Sequence, residues 1–161
     1  PGIPITFEGE KLLLASKGLD WDMVAISALL SLLALLKFSK SSFEDKITLA
    51  TIKSNTSLIS KYASVGDGSC VMHKVVINAG AKVGVNCILN TNSLIEHDTT
   101  IGNHCHISTG AIINGGVEIG NGCFLGSGVI IREGVKIGAD SIISAGEVVM
   151  NDVPPKTIFK N

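Results

Sequence analysis

The chain predicts a mainly β fold, a parallel β-helix wound on a six-residue repeat and preceded by a partial α/β segment. Three observations carry this. From Ile59 every sixth residue is aliphatic, sixteen in succession, ending at Val149. Four residues after most of them comes a small side chain, among them Ser69, Ala81, Cys87, Ser93, Cys105 and Cys123. Aromatic content is only 4% while glycine reaches 18 residues, a balance that suits small side chains inside and glycine at corners. Helices repeat near 3.6 residues and strands at 2, so an unbroken period of six belongs to a coil of short strands and turns.

The elements follow in chain order. Residues 1–56 lack the period and read as a partial α/β segment, a remnant of a Rossmann-like unit. Within it Gly9 to Ala15 opens a helix, Met23-Val24-Ala25-Ile26 is a buried strand, Leu29 to Phe38 a helix, and Ile47 to Ile52 a strand. Residues 57–153 form the coil. Residues 154–161 read as a C-terminal tail, because Pro154-Pro155 cannot donate ladder hydrogen bonds and is expected to end the sheet.

The composition narrows the function. A net charge of −1 with no lysine or arginine cluster excludes a phosphate-tracking nucleic-acid surface. The most apolar run, Val24 to Leu36, is 13 residues long. Membrane spans need about 20 residues, so no membrane insertion is expected. The four cysteines make no CxxC pair or zinc spacing, and with no targeting segment in evidence the cytoplasm is the expected location.

Stacking turns spacing into columns. If three hexapeptides make one triangular turn, residues eighteen apart lie about 4.8 Å from one another. Cys87, Cys105 and Cys123 then form one inward column, read as core thiols rather than a metal site or a disulfide. His97 lies at a corner between Ala79 and Gly115, and Asp98 between Gly80 and Gly116. An imidazole and a carboxylate therefore project from one corner with nearly bare backbone on both sides. An acid beside a histidine fixes its tautomer and raises its basicity, as general-base catalysis requires.

A second corner carries His73, Thr91, Thr109, Ser127 and Ala145, whose side chains shrink toward the C-terminus and leave exposed backbone for an extended ligand. The third corner is mostly Asn, Asp and Gly, and is assigned no chemistry; His104 there is read as solvated. His106 follows His97 by nine residues, half a coil round, so the two rings can meet only between subunits.

The segments Ser93-Leu94-Ile95-Glu96-His97-Asp98, Ile101-Gly102-Asn103-His104-Cys105-His106-Ile107-Ser108 and Asn114-Gly115-Gly116-Val117-Glu118-Ile119-Gly120 resemble the left-handed β-helix acyltransferases. The branch is that of sialic acid O-acetyltransferases and bacterial nucleotide-amino-sugar N-acetyltransferases. Val76 to Ala81 and Ile88 to Thr91 resemble it too.

The resemblance implies a left-handed coil, a homotrimer with sites between neighbours, acetyl-coenzyme A as donor, a small-molecule sugar acceptor, and no metal. It casts His97 as the general base and Asp98 as its acid. His106, the backbone at Ser127 and Ala145, and Gly115 and Gly116 would meet acetyl-coenzyme A, and Asn90 the substrate. The implied function is N-acetylation of a nucleotide-linked sugar in polysaccharide biosynthesis, by direct attack on the thioester. The alternatives are O-acetylation of sialic acid, a non-catalytic scaffold, and a zinc carbonic anhydrase, whose ligand spacing these histidines do not resemble. Two features depart from the branch: the N-terminal segment lacks its glycine-rich turn, and Glu147 stands at an inward position that is normally small.

Overall fold

The computed structural model describes residues 50–160. The helices and strand expected between Gly9 and Phe38 lie outside the described residues. What is described is built from two-residue strands and turns, with no helix among the described residues. The strands stack into three parallel sheets, the faces of a triangular prism. Sheet A has seven strands, from Ile52–Lys53 to Ile158–Phe159; sheet B has six, from Leu58–Ile59 to Val148–Val149; sheet C has five, from Ser64–Val65 to Lys136–Ile137. The architecture is the left-handed parallel β-helix that the repeat and the resemblance predict.

Register follows the period of eighteen: His106 pairs with Ile88 and Phe124, Leu94 with Ile112, and Lys82 with Thr100. From Leu58–Ile59 on, each strand turns its second residue inward. Ile77, Leu89, Ile95, Ile101, Ile107 and Ile113 are all buried, each contributing about 1.5–3 kcal/mol of hydrophobic stabilisation. The four-residue offset supplies the small inward positions between them.

One of these small columns is a ladder of hydrogen bonds. Ser69 donates to the Gly84 carbonyl (2.9 Å), Cys87 to Gly102 (3.1 Å), Cys105 to Gly120 (3.1 Å), Cys123 to Gly138 (3.2 Å) and Ser141 to Pro154 (3.0 Å). The cysteines expected to be core thiols are free and buried. Hydrogen bonding to Cys105 draws Cys87 and Cys123 down to about 7, while the same neighbours push Cys105 far up. All three thiols are sealed from solvent, so none is presented as a nucleophile.

From Gly68 to Gly146 the second residue of each turn takes left-handed backbone, which glycine, Asn and Asp adopt at least cost. The His97 corner has Gly80, Asp98, Gly116 and Gly134 in this role; the corner beyond sheet C has Asn86, His104, Gly122 and Asp140.

The proline pair does not end the sheet. Val153 bridges to Ile137 and Ile158–Phe159 pairs with Ile142–Ile143, each sixteen rather than eighteen residues from its partner. The turn after Val149 is two residues short, and the six-residue step resumes from Val153 to Phe159. Pro154 and Pro155 sit in the turn between them, where no ladder donor is needed; the Pro154 carbonyl accepts from Ser141. At the other end, Ile52–Lys53 already pairs with Cys70–Val71, so the ladder includes residues read as the segment before the coil. Glu147 is half-buried and holds the Ile130 N–H on its carbonyl (2.9 Å).

Candidate active site

Leu94–Ile95 ends in sheet B, Thr100–Ile101 begins in sheet C, and His97 and Asp98 form the turn between them. The turn is pinned from below and above: Asp98 N–H donates to the Ala79 carbonyl (3.0 Å), and Gly116 N–H to the His97 carbonyl (2.9 Å). Glu96 holds it from the side, accepting from the His97 N–H (3.3 Å) and from the Asn78 amide one coil below (2.9 Å).

The ring is oriented as sharply as the backbone. His97 Nδ1 lies 3.0 Å from Asp98 Oδ2. A carboxylate accepts, so Nδ1 carries the proton and Nε2 keeps its lone pair. That nitrogen lies over Gly115, where a Cβ would come within 2.7 Å of it. Only glycine leaves the ring this close to the next coil. Both His97 and Asp98 are exposed, at 64% and 74%, so the base is open to a reactant.

Around them is an open cleft of about 540 Å³, lined by Glu96, Asp98 and Glu133 as well as His97, with Asn114 and three glycines. Three carboxylates and no lysine or arginine face it.

The other residues singled out in the sequence gather elsewhere. His106 is on the outer face of sheet A, half-buried, its ring edge-on to Phe124 with centroids 5.1 Å apart. Burial lowers its basicity below the usual histidine range. Its Nε2 is buried and has no hydrogen-bond partner among the described residues. An unpaired buried polar atom costs about 1–3 kcal/mol.

Asn90, Ser127 and Ala145 lie at the corner between sheets A and B. Some first turn residues are capped by side chains: the Thr91 N–H by Asn90 Oδ1 (2.8 Å), Val85 by Asn103 (3.0 Å) and Asn103 by Asn121 (2.8 Å). No side chain among the described residues caps the N–H of Ser127 or Ala145, and both residues are exposed. The structure thus divides the sequence-derived set in two. His97, Asp98, Gly115 and Gly116 share one corner; Asn90, His106, Ser127 and Ala145 lie at or beside another, across the width of sheet B.

Sequence reasoning missed Glu96 and Asn78. Their signal was available, because residues eighteen apart stack. Among the described residues no group of three or more His, Cys, Asp or Glu side chains is arranged to hold a metal.

Residues 116–149 match the family of bacterial transferase hexapeptides with six repeats. This is a hexapeptide-repeat coil. It is 37% identical to PerB from Caulobacter crescentus, whose structure holds CoA and GDP-perosamine, with a TM-score of 0.67 over 67% of this chain and 52% of that one. It is also similar to the acetyltransferase domain of PglB from Neisseria gonorrhoeae (27% identity, TM-score 0.69, 83% of this chain and 61% of that one). WeeI from Acinetobacter baumannii gives 25% identity and a TM-score of 0.69 over 81% and 62% of the two chains. The hexapeptide chain spans about half the length of the perosamine N-acetyltransferase it matches. No curated protein sequence matches it. No helix of the described residues is long and apolar enough to cross a membrane.

Proposed function

We propose that this chain is an acetyltransferase that moves an acetyl group from acetyl-coenzyme A to an amino group of a nucleotide-linked sugar. The observation that carries the reading is the His97 ring, its Nδ1 committed to Asp98 and its Nε2 open over Gly115. That is the arrangement of a general base. The similarity to a perosamine N-acetyltransferase bound to CoA and GDP-perosamine supports both donor and acceptor.

In the proposed step the acceptor ammonium first gives up a proton to solvent, and Nε2 then takes a second from the free amine as the nitrogen attacks the thioester carbonyl. A main-chain N–H steadies the oxyanion. The C–S bond then breaks, the thiolate leaves and takes up a proton, and an amide remains. Asp98 stabilises the imidazolium that forms in between.

The lining of the cleft favours the amine over the alternative acceptor. Glu96, Asp98 and Glu133 attract an ammonium-bearing sugar, and they repel the carboxylate of a sialic acid.

His106, Ser127 and Ala145 are proposed to hold acetyl-coenzyme A, through the unpaired Nε2 and the uncapped N–H groups, with Asn90 beside them and Gly115 and Gly116 bordering the thioester. Because these groups and His97 occupy separate corners of one chain, a complete site needs two copies. The outer faces support a homotrimer. Sheet A presents Phe124, Ile142 and Ile158 and sheet B presents Leu58, Ile130 and Val148, all exposed apolar residues, whereas sheet C presents Lys82, Glu118 and Lys136. Two apolar faces suit two neighbours, and one charged face suits solvent.

The test follows thioester absorbance with GDP- and UDP-linked amino sugars and sialic acid as acceptors. Turnover with an amino sugar that falls about 10²–10⁴-fold in His97→Ala is expected. Turnover with sialic acid alone would reassign the acceptor. No turnover with any acceptor, and no binding of acetyl-coenzyme A, would return the coil to the scaffold reading.

A further inference from the structure

The corner that carries His97 continues for two coils toward the N-terminus. Gly80 N–H donates to the Tyr62 carbonyl (3.2 Å), and Asp98 N–H to that of Ala79, so Lys61-Tyr62, Ala79-Gly80 and His97-Asp98 form one stacked column. The middle pair is almost bare. The lower pair is not: Tyr62 is 70% exposed, and Lys61 Nζ sits 4.9 Å from its ring centroid. An exposed tyrosine at a solvent corner does nothing for the core, whose inward positions are aliphatic or small. Beside this column runs the outer row of sheet C, where Lys82 pairs with Ser64 below and Thr100 above.

Charge is therefore graded along the corner. At His97 the cleft is lined by carboxylates. Lys82 stands one coil toward the N-terminus, and Lys61 with the Tyr62 ring two coils away, roughly 10 Å at the usual strand spacing. Toward the C-terminus the pattern differs, since Lys136 is bonded to Glu118 (3.0 Å) and Arg132 stands next to Glu133. A nucleoside-diphosphate amino sugar carries the matching sequence of groups: an amine at one end, two phosphates in the middle, a base at the other end.

We propose that Lys61, Tyr62 and Lys82 form a subsite for the nucleoside diphosphate of the acceptor, with the lysines on the phosphates and the tyrosine ring stacked on the base. The inference rests on the acetyl-transfer reading for its substrate but not for its test. A bare Ala79-Gly80 floor gives the sugar room to lie between the subsite and His97. Any larger side chain at position 80 would run into Asp98 Oδ1.

The experiment titrates GDP, UDP and acetyl-coenzyme A into the whole chain by calorimetry, in wild type, Tyr62→Ala and the Lys61→Gln/Lys82→Gln pair. All three positions are exposed, so folding is expected to survive. Affinity for GDP or UDP should fall about tenfold in each variant, the scale of one lost base stack or phosphate contact, while acetyl-coenzyme A binding stays within about twofold. In turnover the KM for the nucleotide-linked acceptor should rise with kcat retained. Wild type that binds neither nucleoside diphosphate, or variants that bind them as tightly as wild type, would overturn the subsite. Nucleotide binding that depends on Tyr62 without any acetyl transfer would uphold the subsite and defeat the transferase reading. Transfer with an unchanged acceptor KM in the variants would do the opposite.

Discussion

All three corners of the coil carry a histidine, and only the one at His97 sets a carboxylate against its ring. At the corner between sheets B and C, His97 Nδ1 faces a carboxylate, so that nitrogen donates and Nε2 is left with its lone pair. At the corner between sheets C and A, His104 Nδ1 lies 2.9 Å from the Asn86 amide nitrogen, one coil below. An amide N–H only donates, so Nδ1 of His104 must accept and its proton sits on Nε2. The same ring in the same fold thus takes opposite tautomers, one with an outward acceptor and one with an outward donor. Neighbours eighteen residues away decide the difference as much as the adjacent residue does.

The contrast is sharpest in activity. His97→Ala should cost about 10²–10⁴-fold in kcat, measured by thioester loss, because no other imidazole lines that cleft. The next largest effect comes from the floor beneath the ring. A methyl at Gly115 would stand 2.7 Å from Nε2 and displace it. Gly115→Ala should lower kcat/KM by up to about a hundredfold, the scale of a misplaced base, with the melting temperature nearly unchanged. Its neighbour should behave in the reverse way. Gly116 has φ +66° and open space around its Cβ position. Gly116→Ala should therefore cost about 1–2 kcal/mol of stability, read by denaturant unfolding, with a smaller loss of rate than Gly115→Ala. If the two glycines behave alike, the bare backbone serves the turn and not the base.

Much of this was legible in the sequence because the period is an integer. A repeat of six with three sides puts residue n against residue n + 18 without any packing calculation, which is how Gly115 could be placed over His97 and the cysteines in one column. The same rule foretells Asn78 against Glu96 and Asn86 against His104, although their hydrogen bonds depend on rotamers that spacing does not specify. Three things were not legible. The two-residue shortening after Val149 shifts the period out of phase, so Phe159 looks like tail until its partner Ile143 is seen. The lone Nε2 of His106 depends on how its ring leans on Phe124. The uncapped N–H groups at Ser127 and Ala145 are defined by side chains that are missing, which no motif announces.

His106 offers a smaller effect, in stability and not in rate. Burial holds its pKa below the ordinary 6.5, so the unfolded chain binds more protons than the folded one as pH drops through that value. Stability contributed by the neutral ring is complete above pH 6.5 and is lost as pH falls toward the folded value. The melting temperature of wild type should decline over that range, and His106→Phe should flatten the decline while keeping the aromatic contact with Phe124. An identical slope in both proteins would assign the acid sensitivity to carboxylates.

The smallest predicted effect is the one that most tests the comparison. His104 is exposed, its Nδ1 is satisfied by Asn86, and its φ of +59° makes it the strained residue of its turn. His104→Gly should relieve that strain and lose one exposed hydrogen bond, two terms of about 1 kcal/mol with opposite signs, for a net change near zero. Turnover should stay within about twofold, since a solvated donor is absent from the chemistry proposed at His97. Should His104→Gly instead reduce kcat as strongly as His97→Ala, the corner between sheets C and A would have to face the reacting groups in the assembled enzyme. The opposite tautomers would then be the acid and the base of one site rather than a used histidine and an idle one.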